Sequence, residues 1–304
     1  MNILCVSLYD NGGQLQQLSN ALNKYTNHNC KHLNYEPTFL EYDVDINASD
    51  YRNEELKELL SDRDFFIFSE LITEKFKDLG FKLNRNNTIM RCFGSITRKQ
   101  LYEYRKLWAN TFITFASGGF DNTIHPYLGF CAYHIPNLYD FSVFPKPNRS
   151  KPTRICQAAT KLEKKNTKEV IEVLKQLEKD FGIEPIIVHG KSWKETLKIK
   201  STCHITIDQF KYGPYASSAI ESMYLGQTVV SRLSPFVRSM HPNIPIVQSE
   251  LNELYDVIKG LLFDSNSIDV IGKLGHEYAI KEHSAKLNIK KWEYLIQWVT
   301  EGFR

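Results

Sequence analysis

Apolar and polar positions along the chain fall into blocks that read alternately as strand and helix. Residues 2–9 form a continuous apolar run, the pattern of a strand buried on both faces. A tight loop, Asp10-Asn11-Gly12-Gly13, follows it. Residues 14–25 then place Leu15, Leu18 and Leu22 at helical spacing on one face. The alternation continues with strands over 30–35, 64–71, 88–93 and 112–116, separated by helices over 53–60, 73–79 and 98–108. Residues 36–50 are polar and irregular. Repetition of this kind predicts an α/β domain built on a doubly wound, mostly parallel sheet.

Residues 136–152 break the rhythm. Pro136, Pro145, Pro147 and Pro152 fall close together with Asn137, Asn148 and Ser150, which predicts a linker. The pattern then restarts. Strands are expected over 154–159, 185–188, 204–208, 228–230 and 244–247. Helices are expected over 167–181, 192–199, 216–225, 250–262 and most of 267–303. The expected layout is a first domain over 1–144, a linker over 145–152, a second domain over 153–288 and a terminal helix over 289–304. Trp292, Tyr294 and Trp298 make that last helix too aromatic for a solvated tail.

The densest chemical signal lies in residues 204–233, HITIDQFKYGPYASSAIESMYLGQTVVSRL. A β-branched strand ends at Asp208, and a loop with Gly213 and Pro214 at its tip follows. Ala216 then opens a helix of small residues that carries one carboxylate, Glu221. Gly226 stops that helix. Loop amides and a helix N-terminus placed this way make a backbone-lined anion site. The bland alternative is an ordinary α/β crossover with a surface Glu.

These residues resemble the nucleotide-sugar signature of GT-B glycosyltransferases, which commonly read Glu-x7-Glu, then Ala-Met-Ala, a Gly and Pro-Val-Ile. Glu221 matches the second Glu, and Gly213 stands in place of the first. The resemblance implies two Rossmann-like doubly wound domains facing a central cleft. It also implies a terminal helix that crosses back to the first domain. A nucleoside-diphosphate sugar, such as a UDP-sugar, is then the co-substrate. Donor contacts are implied for Glu221, Gly213, Pro214, Tyr215, Ala216 and Asp208, and for His189 and Gly190 in the loop near the nucleobase.

Smaller motifs extend the likeness. Lys165-Asn166-Thr167 resembles the family's Lys-Gly-Thr loop without its Gly, and Lys161 is the cation nearest to the position of an upstream Arg that this chain lacks. Cys92-Phe93-Gly94-Ser95-Ile96-Thr97-Arg98 resembles a His-Gly-Ser-x-x-Arg stretch with Phe93 for His. The resemblance thus implies catalytic roles for Lys165 and Lys161 toward the leaving diphosphate, and for Arg98 as a clamp on an anionic group on the acceptor side, where a solvated Arg is the alternative. Asn11, Gly12 and Gly13 are not G-x-G-x-x-G, yet a Gly pair lets backbone approach a phosphate or an acceptor. A plain tight turn reads equally well. Pro136-Asn137 resembles the segment that closes the family's first domain.

Composition narrows the class without deciding it. The chain has 304 residues, 42% hydrophobic and 24% charged, as in a soluble globular protein. A formal net charge of +3 is too weak to argue for nucleic acid or membrane by itself. Cys5, Cys30, Cys92, Cys131, Cys156 and Cys203 are scattered, with no C-x-x-C pair, and read as reduced thiols of a cytoplasmic protein. No signal peptide and no membrane-spanning run are read. Asp43-Val44-Asp45 is formally D-x-D but sits in an irregular acidic loop and reads as solvated. His125, His134 and His241 lack ligand spacing, so no metal site is expected.

The expectation is therefore a hexosyl- or pentosyltransferase, retaining, metal-independent and without a resident cofactor. The acceptor stays open between a glycan or lipid-linked precursor, which is favoured, and a modified base of viral DNA. Oligomeric state is not legible. A non-catalytic GT-B-like module that binds nucleotide or sugar, and a GT-B sugar-nucleotide epimerase, are the competing readings.

Overall fold

The structure is a computed structural model that describes residues 1–69, 72, 74–92, 102–103, 106–107, 114–117 and 132–302. The chain divides into two compact units. The first is Met1–Asp140 with Ser284–Arg304, and the second is Phe141–His283. The divisions fall after Asp140 and before Ser284, where the sequence pattern sets 144 and 289. Aromatic packing explains the earlier start of the second unit. The Phe141 ring stacks on Tyr224 with centroids 3.9 Å apart, and Phe144 meets Trp193 edge-on at 5.7 Å.

In the first unit the described strands are β1 (Asn2–Ser7), β2 (Asn29–Asn34), β3 (Ile46–Asn47), β4 (Phe65–Ser69), β5 (Thr88–Cys92), β6 (Thr114–Ser117) and β7 (Ala132–His134). All their pairings are parallel, in the order β3-β2-β1-β4-β5-β6-β7. The reversal between β1 and β4 is the switch point of a doubly wound sheet. The described helices are α1 (Gln14–Tyr25), α2 (Asn53–Leu59) and α3 (Glu74–Lys77). Strand β3 and the 3-10 turn Ala48–Asp50 lie in the stretch expected to be irregular, and β7 is a strand the pattern missed. Both strands are very short, below the length at which a period can be read. The expected helix over 98–108 falls largely outside the described residues.

The core of the first unit has two sides. Phe66, Phe68 and Phe76 pack with Leu33, Leu56 and Met90 on one. On the other, Leu15, Leu18 and Leu22 of α1 meet the terminal helix, Ala285–Thr300, through Ile289, Trp292 and Ile296. Trp292 is fully buried there, and the Arg91 guanidinium sits 4.9 Å from its ring centroid. Arg91 also donates to Asn137 Oδ1 at 2.8 Å, which ties the Pro-Asn segment to β5.

The second unit contains β8 (Arg154–Ala158), α4 (Thr167–Phe181), β9 (Glu184–Val188), α5 (Trp193–Lys200), β10 (Ile205–Ile207), α6 (Ser217–Tyr224), β11 (Thr228–Ser231), α7 (Pro235–Met240), β12 (Ile246–Gln248), α8 (Leu254–Phe263) and α9 (Ser265–His283). The terminal helix is α10. Its sheet is parallel throughout, in the order β12-β11-β10-β8-β9. Helix α7 was not expected, although its start is written locally: Ser234 caps it through Val237 N at 3.3 Å, with Pro235 at the first position. Among the described residues no helix is long and apolar enough to cross a membrane. Cys131 lies outside the described residues, and the other five cysteines are buried free thiols.

Candidate functional site

Loops after β8, β9 and β10 are joined at the carboxyl end of the second sheet, the end where open α/β sheets bind ligands. Parallel pairing delivers Asp208 there, one residue past β10, with its amide bonded to the Val230 carbonyl at 2.9 Å. Asp208 is fully buried. One carboxylate oxygen pairs with Lys165 Nζ at 2.5 Å, and the other accepts the Ala216 amide at 3.1 Å. A single carboxylate therefore fixes a cation from the β8 loop against the N-terminus of α6. His189 bonds the Ala159 carbonyl through Nδ1 at 2.8 Å, so that nitrogen carries the proton and the β9 loop is tied to the β8 loop.

Lys165 ends a 3-10 turn, Leu162–Lys165, and the chain enters α4 through Asn166 in left-handed backbone (φ 53°). Asn166 makes no side-chain cap, so the first amides of α4 are not capped by that residue. Thr167 is 2% exposed and its hydroxyl has no protein partner. Gln157 is fully buried. Its amide nitrogen holds the Lys165 carbonyl at 2.9 Å, while its Oε1 and Asn166 Oδ1 have no protein partner. A buried polar atom without a partner costs about 1–3 kcal/mol. Three of them lie close to Lys165 and the start of α4, each with under 1 Å² of surface open to water.

The Gly213–Ala216 loop is held from within. Gln209 bonds the Pro214 carbonyl through its amide nitrogen and accepts the Tyr212 amide at 2.8 Å. Gly213 has φ 80°, and a Cβ on it would stand 2.8 Å from Ser234 Cβ, so this position needs glycine for both backbone and space. The Tyr215 hydroxyl lies 3.3 Å from His283 Nε2 and is fully buried. Gly190 has φ 66° with open space around it. Lys161 is exposed at the start of the 3-10 turn.

No protein-family profile matches the chain, and no curated protein does. Solved structures do. An α-glucosyltransferase (AGT) in complex with UDP is 12% identical with a TM-score of 0.69, over 98% of this chain and 100% of that one. Sucrose-phosphate synthase from Thermosynechococcus elongatus is 10% identical with a TM-score of 0.67, over 98% and 100%. Anabaena HepE in complex with UDP-glucose is 12% identical with a TM-score of 0.67, over 98% and 100%. The chain has the GT-B fold.

Within this GT-B chain, Glu221 is the residue the resemblance implies as a donor contact facing a ligand. Instead it is 5% exposed, and both oxygens are engaged: Trp193 Nε1 donates to Oε1 at 2.9 Å, and Lys200 Nζ to Oε2 at 2.8 Å. Lys200 is itself fully buried and also donates to the Ser218 carbonyl at 2.7 Å. Glu221 is an internal anchor between α5 and α6. Sequence reading missed Lys200 and Trp193 because they lie on a different helix.

The loop after β1 also departs from expectation. Asp10, 3% exposed, accepts the Leu15 amide at 3.0 Å through Oδ1 and the Gln16 amide at 3.0 Å through Oδ2. Its carboxylate thus occupies the N-terminus of α1, next to Asn11, Gly12 and Gly13, which read as an approach for a phosphate or an acceptor or as a plain tight turn. Gly13 (φ 65°) is needed because the Tyr42 ring lies where a Cβ would go, at 2.5 Å. The close approach that the Gly pair signals is that of the protein's own tyrosine. Asp45 of the D-x-D is not simply solvated either. It accepts Ser19 Oγ at 2.9 Å and the His32 amide at 2.7 Å. Arg98 lies outside the described residues, as do His125 and residues 93–97. Among the described residues no cluster of His, Cys, Asp and Glu is arranged to hold a metal.

Proposed function

We propose that the chain is a glycosyltransferase that takes a sugar from a nucleoside-diphosphate sugar, with the second unit as the donor domain and the first as the acceptor domain. The observation that carries this reading is the group around Lys165: its ion pair to Asp208, the Ala216 amide on the same carboxylate, and the unpartnered Thr167 hydroxyl at the start of α4. Cation, amides and hydroxyl supply the donors a diphosphate needs, and the oxygens of Gln157 and Asn166 can take ribose or sugar hydroxyls. The GT-B neighbours with UDP or UDP-glucose support the same ligand class.

In this reading the β-phosphate leaves against Lys165 and the α4 and α6 amides. Lys161 adds charge from the exposed rim, and His189 with Gly190 borders the nucleobase. Glu221 acts by holding α6 in place. Retention of anomeric configuration follows the family signature. Turnover is independent of divalent metal, because Asp45 is bound to α1 and β2 and the protein's own cation and amides neutralise the leaving group. Activity in excess EDTA tests that point; loss of turnover restored by Mg²⁺ or Mn²⁺ would refute it.

A non-catalytic nucleotide-binding module is the second reading. It is favoured by Gly213 in place of the first family Glu and by the internal engagement of Glu221. Nucleoside-diphosphate release from a panel of UDP-, GDP- and ADP-sugars, in the presence of candidate acceptors, separates the two. Catalysed release supports the transferase; binding without release supports the module.

A further inference from the structure

Helix α6 and the loop before it are held by α9, a helix with no place among the proposed donor contacts. Contacts run in opposite order along the two helices: Gly272 meets Gly226, His276 meets Tyr224, and His283 meets Tyr215. The helices are therefore antiparallel. Two glycines let α9 come this close. A Cβ on Gly272 would overlap the Gly226 carbonyl oxygen, and one on Gly275 would stand 3.3 Å from Met223 Cγ. His276 Nδ1 bonds the Tyr224 carbonyl at the end of α6. About two turns further on, α9 ends at His283, opposite Tyr215, which stands two residues before α6 begins.

The ends of β10 and β11 hold the loop from nearby. Gln209 binds the Pro214 carbonyl and the Tyr212 amide, Asp208 accepts the Ala216 amide, and the Ser234 amide donates to the Gly213 carbonyl at 2.9 Å. The Tyr215 side chain reaches further. Its hydroxyl lies 3.3 Å from His283 Nε2, 68 residues away in sequence, and both residues are fully buried. His241, which follows α7, meets the Tyr215 ring edge-on with centroids 5.4 Å apart, and the Tyr278 hydroxyl of α9 lies 2.9 Å from His241 Nδ1. A phenol and an imidazole that have both left water make a bond that is costly to break from one side. With no exposed surface, Tyr215 offers its side chain to no ligand. What it can do is fix the backbone on either side of it.

We propose that His283 is a positioning residue of the donor site. Through the Tyr215 hydroxyl it fixes the Gly213–Ala216 backbone and the Ala216 amide, and with them the geometry offered to a diphosphate. The fixing of the loop stands on its own; its use by a diphosphate rests on the donor-site reading. The test compares the full chain as wild type, Tyr215→Phe, His283→Leu, the double variant, and His283→Gln, whose amide can take the place of Nε2. Each is measured twice: amide hydrogen exchange over residues 209–217 without nucleotide, and UDP affinity by calorimetry.

Tyr215→Phe and His283→Leu should each speed exchange of the loop amides at least fivefold and weaken UDP at least fivefold. The double variant should stay within twofold of Tyr215→Phe on both readouts, because the same bond is lost. His283→Gln should stay within twofold of wild type. Should His283→Leu fail to fold, Tyr215→Phe, which removes one oxygen and keeps the ring, and His283→Gln carry the test. Loop exchange unchanged in Tyr215→Phe overturns the proposal. So do losses that multiply in the double variant, a His283→Gln chain that does not recover, or faster loop exchange with UDP affinity unchanged. No UDP binding by wild type, with loop exchange responding as expected, would instead count against the donor-site reading and leave His283 fixing the loop.

Discussion

The two units share one architecture and treat the helix N-terminus after their first strand differently. In the first, the loop after β1 folds its own carboxylate, Asp10, onto the amides of Leu15 and Gln16 at the start of α1. In the second, the loop after β8 brings a lysine instead, and α4 begins at Asn166 without a side-chain cap. An N-terminus carries roughly half a positive charge, so whichever group sits there decides whether it attracts a further anion. The first is neutralised from within. The second lies beside Lys165, whose charge Asp208 balances at 2.5 Å, and keeps the Thr167 hydroxyl unpartnered. A Rossmann-like topology thus supplies the place for an anion, and the loop residues decide which copy of it is used.

This contrast can be broken most forcefully through the buried Lys200–Glu221 pair. Glu221→Ala leaves a buried ammonium with only Ser218 as partner, and should cost about 3–5 kcal/mol of stability. Chemical denaturation would read it. A loss below about 1 kcal/mol would mean that this carboxylate is not an anchor, and would restore its ligand-facing role.

Next in size is Lys165→Ala. Turnover at saturating donor should fall by about a hundred- to a thousandfold, as for removal of one preorganised donor. Part of the variant's loss would be stability, because Asp208 is left buried with the Ala216 amide alone. Far-UV circular dichroism and a melting curve keep the two effects apart. Turnover within about threefold of wild type would remove the lysine from the leaving-group site.

Asp10→Ala sharpens the comparison from the other side. Losing an N-terminal carboxylate should cost about 0.5–2 kcal/mol of stability, with UDP affinity unchanged. A change in UDP affinity would mean that the first unit's helix N-terminus does belong to the donor site.

The smallest expected effect concerns pH. His32 is fully buried beside Ser7 Oγ (2.8 Å) and Gln16 Oε1 (3.0 Å), and burial holds its pKa below the ordinary 6.5, against the pull of Asp10 and Asp45. The neutral ring is favoured in the fold. Stability from this group is complete above about pH 6.5 and is lost as pH falls toward the folded pKa. His32→Gln should flatten the pH dependence of the first unit's melting; an unchanged profile would place the titration elsewhere.

Most of the fold was legible because strands and helices this long carry a period. Residues 14–25 and 167–181 are helical to the residue, as the apolar spacing predicts. Strands β3 and β7, of two and three residues, were missed, whereas the equally short β10 and β12 sit in apolar runs that gave them away. The site was legible only in part. Lys165, Asp208 and Ala216 were implied by the family resemblance, and the fold brings them together. Gln157 had a signal, a polar residue inside an apolar strand, that was not used. The engagement of Glu221 had none, since its partners sit 21 and 28 residues away on another helix. The Gly12-Gly13 pair was read as room for a ligand or as a plain tight turn, and nothing local says that Tyr42 packs against Gly13.

The claim that the second unit, and not the first, holds the nucleotide is tested most directly by calorimetric titration of UDP into wild type and Thr167→Val. That substitution keeps shape and removes one hydroxyl. Wild type should bind UDP, and Thr167→Val should bind it about tenfold more weakly, the effect of losing roughly 1.4 kcal/mol from one charge-assisted hydrogen bond. UDP binding that is indifferent to Thr167 would contradict the account, and would move the diphosphate away from the start of α4.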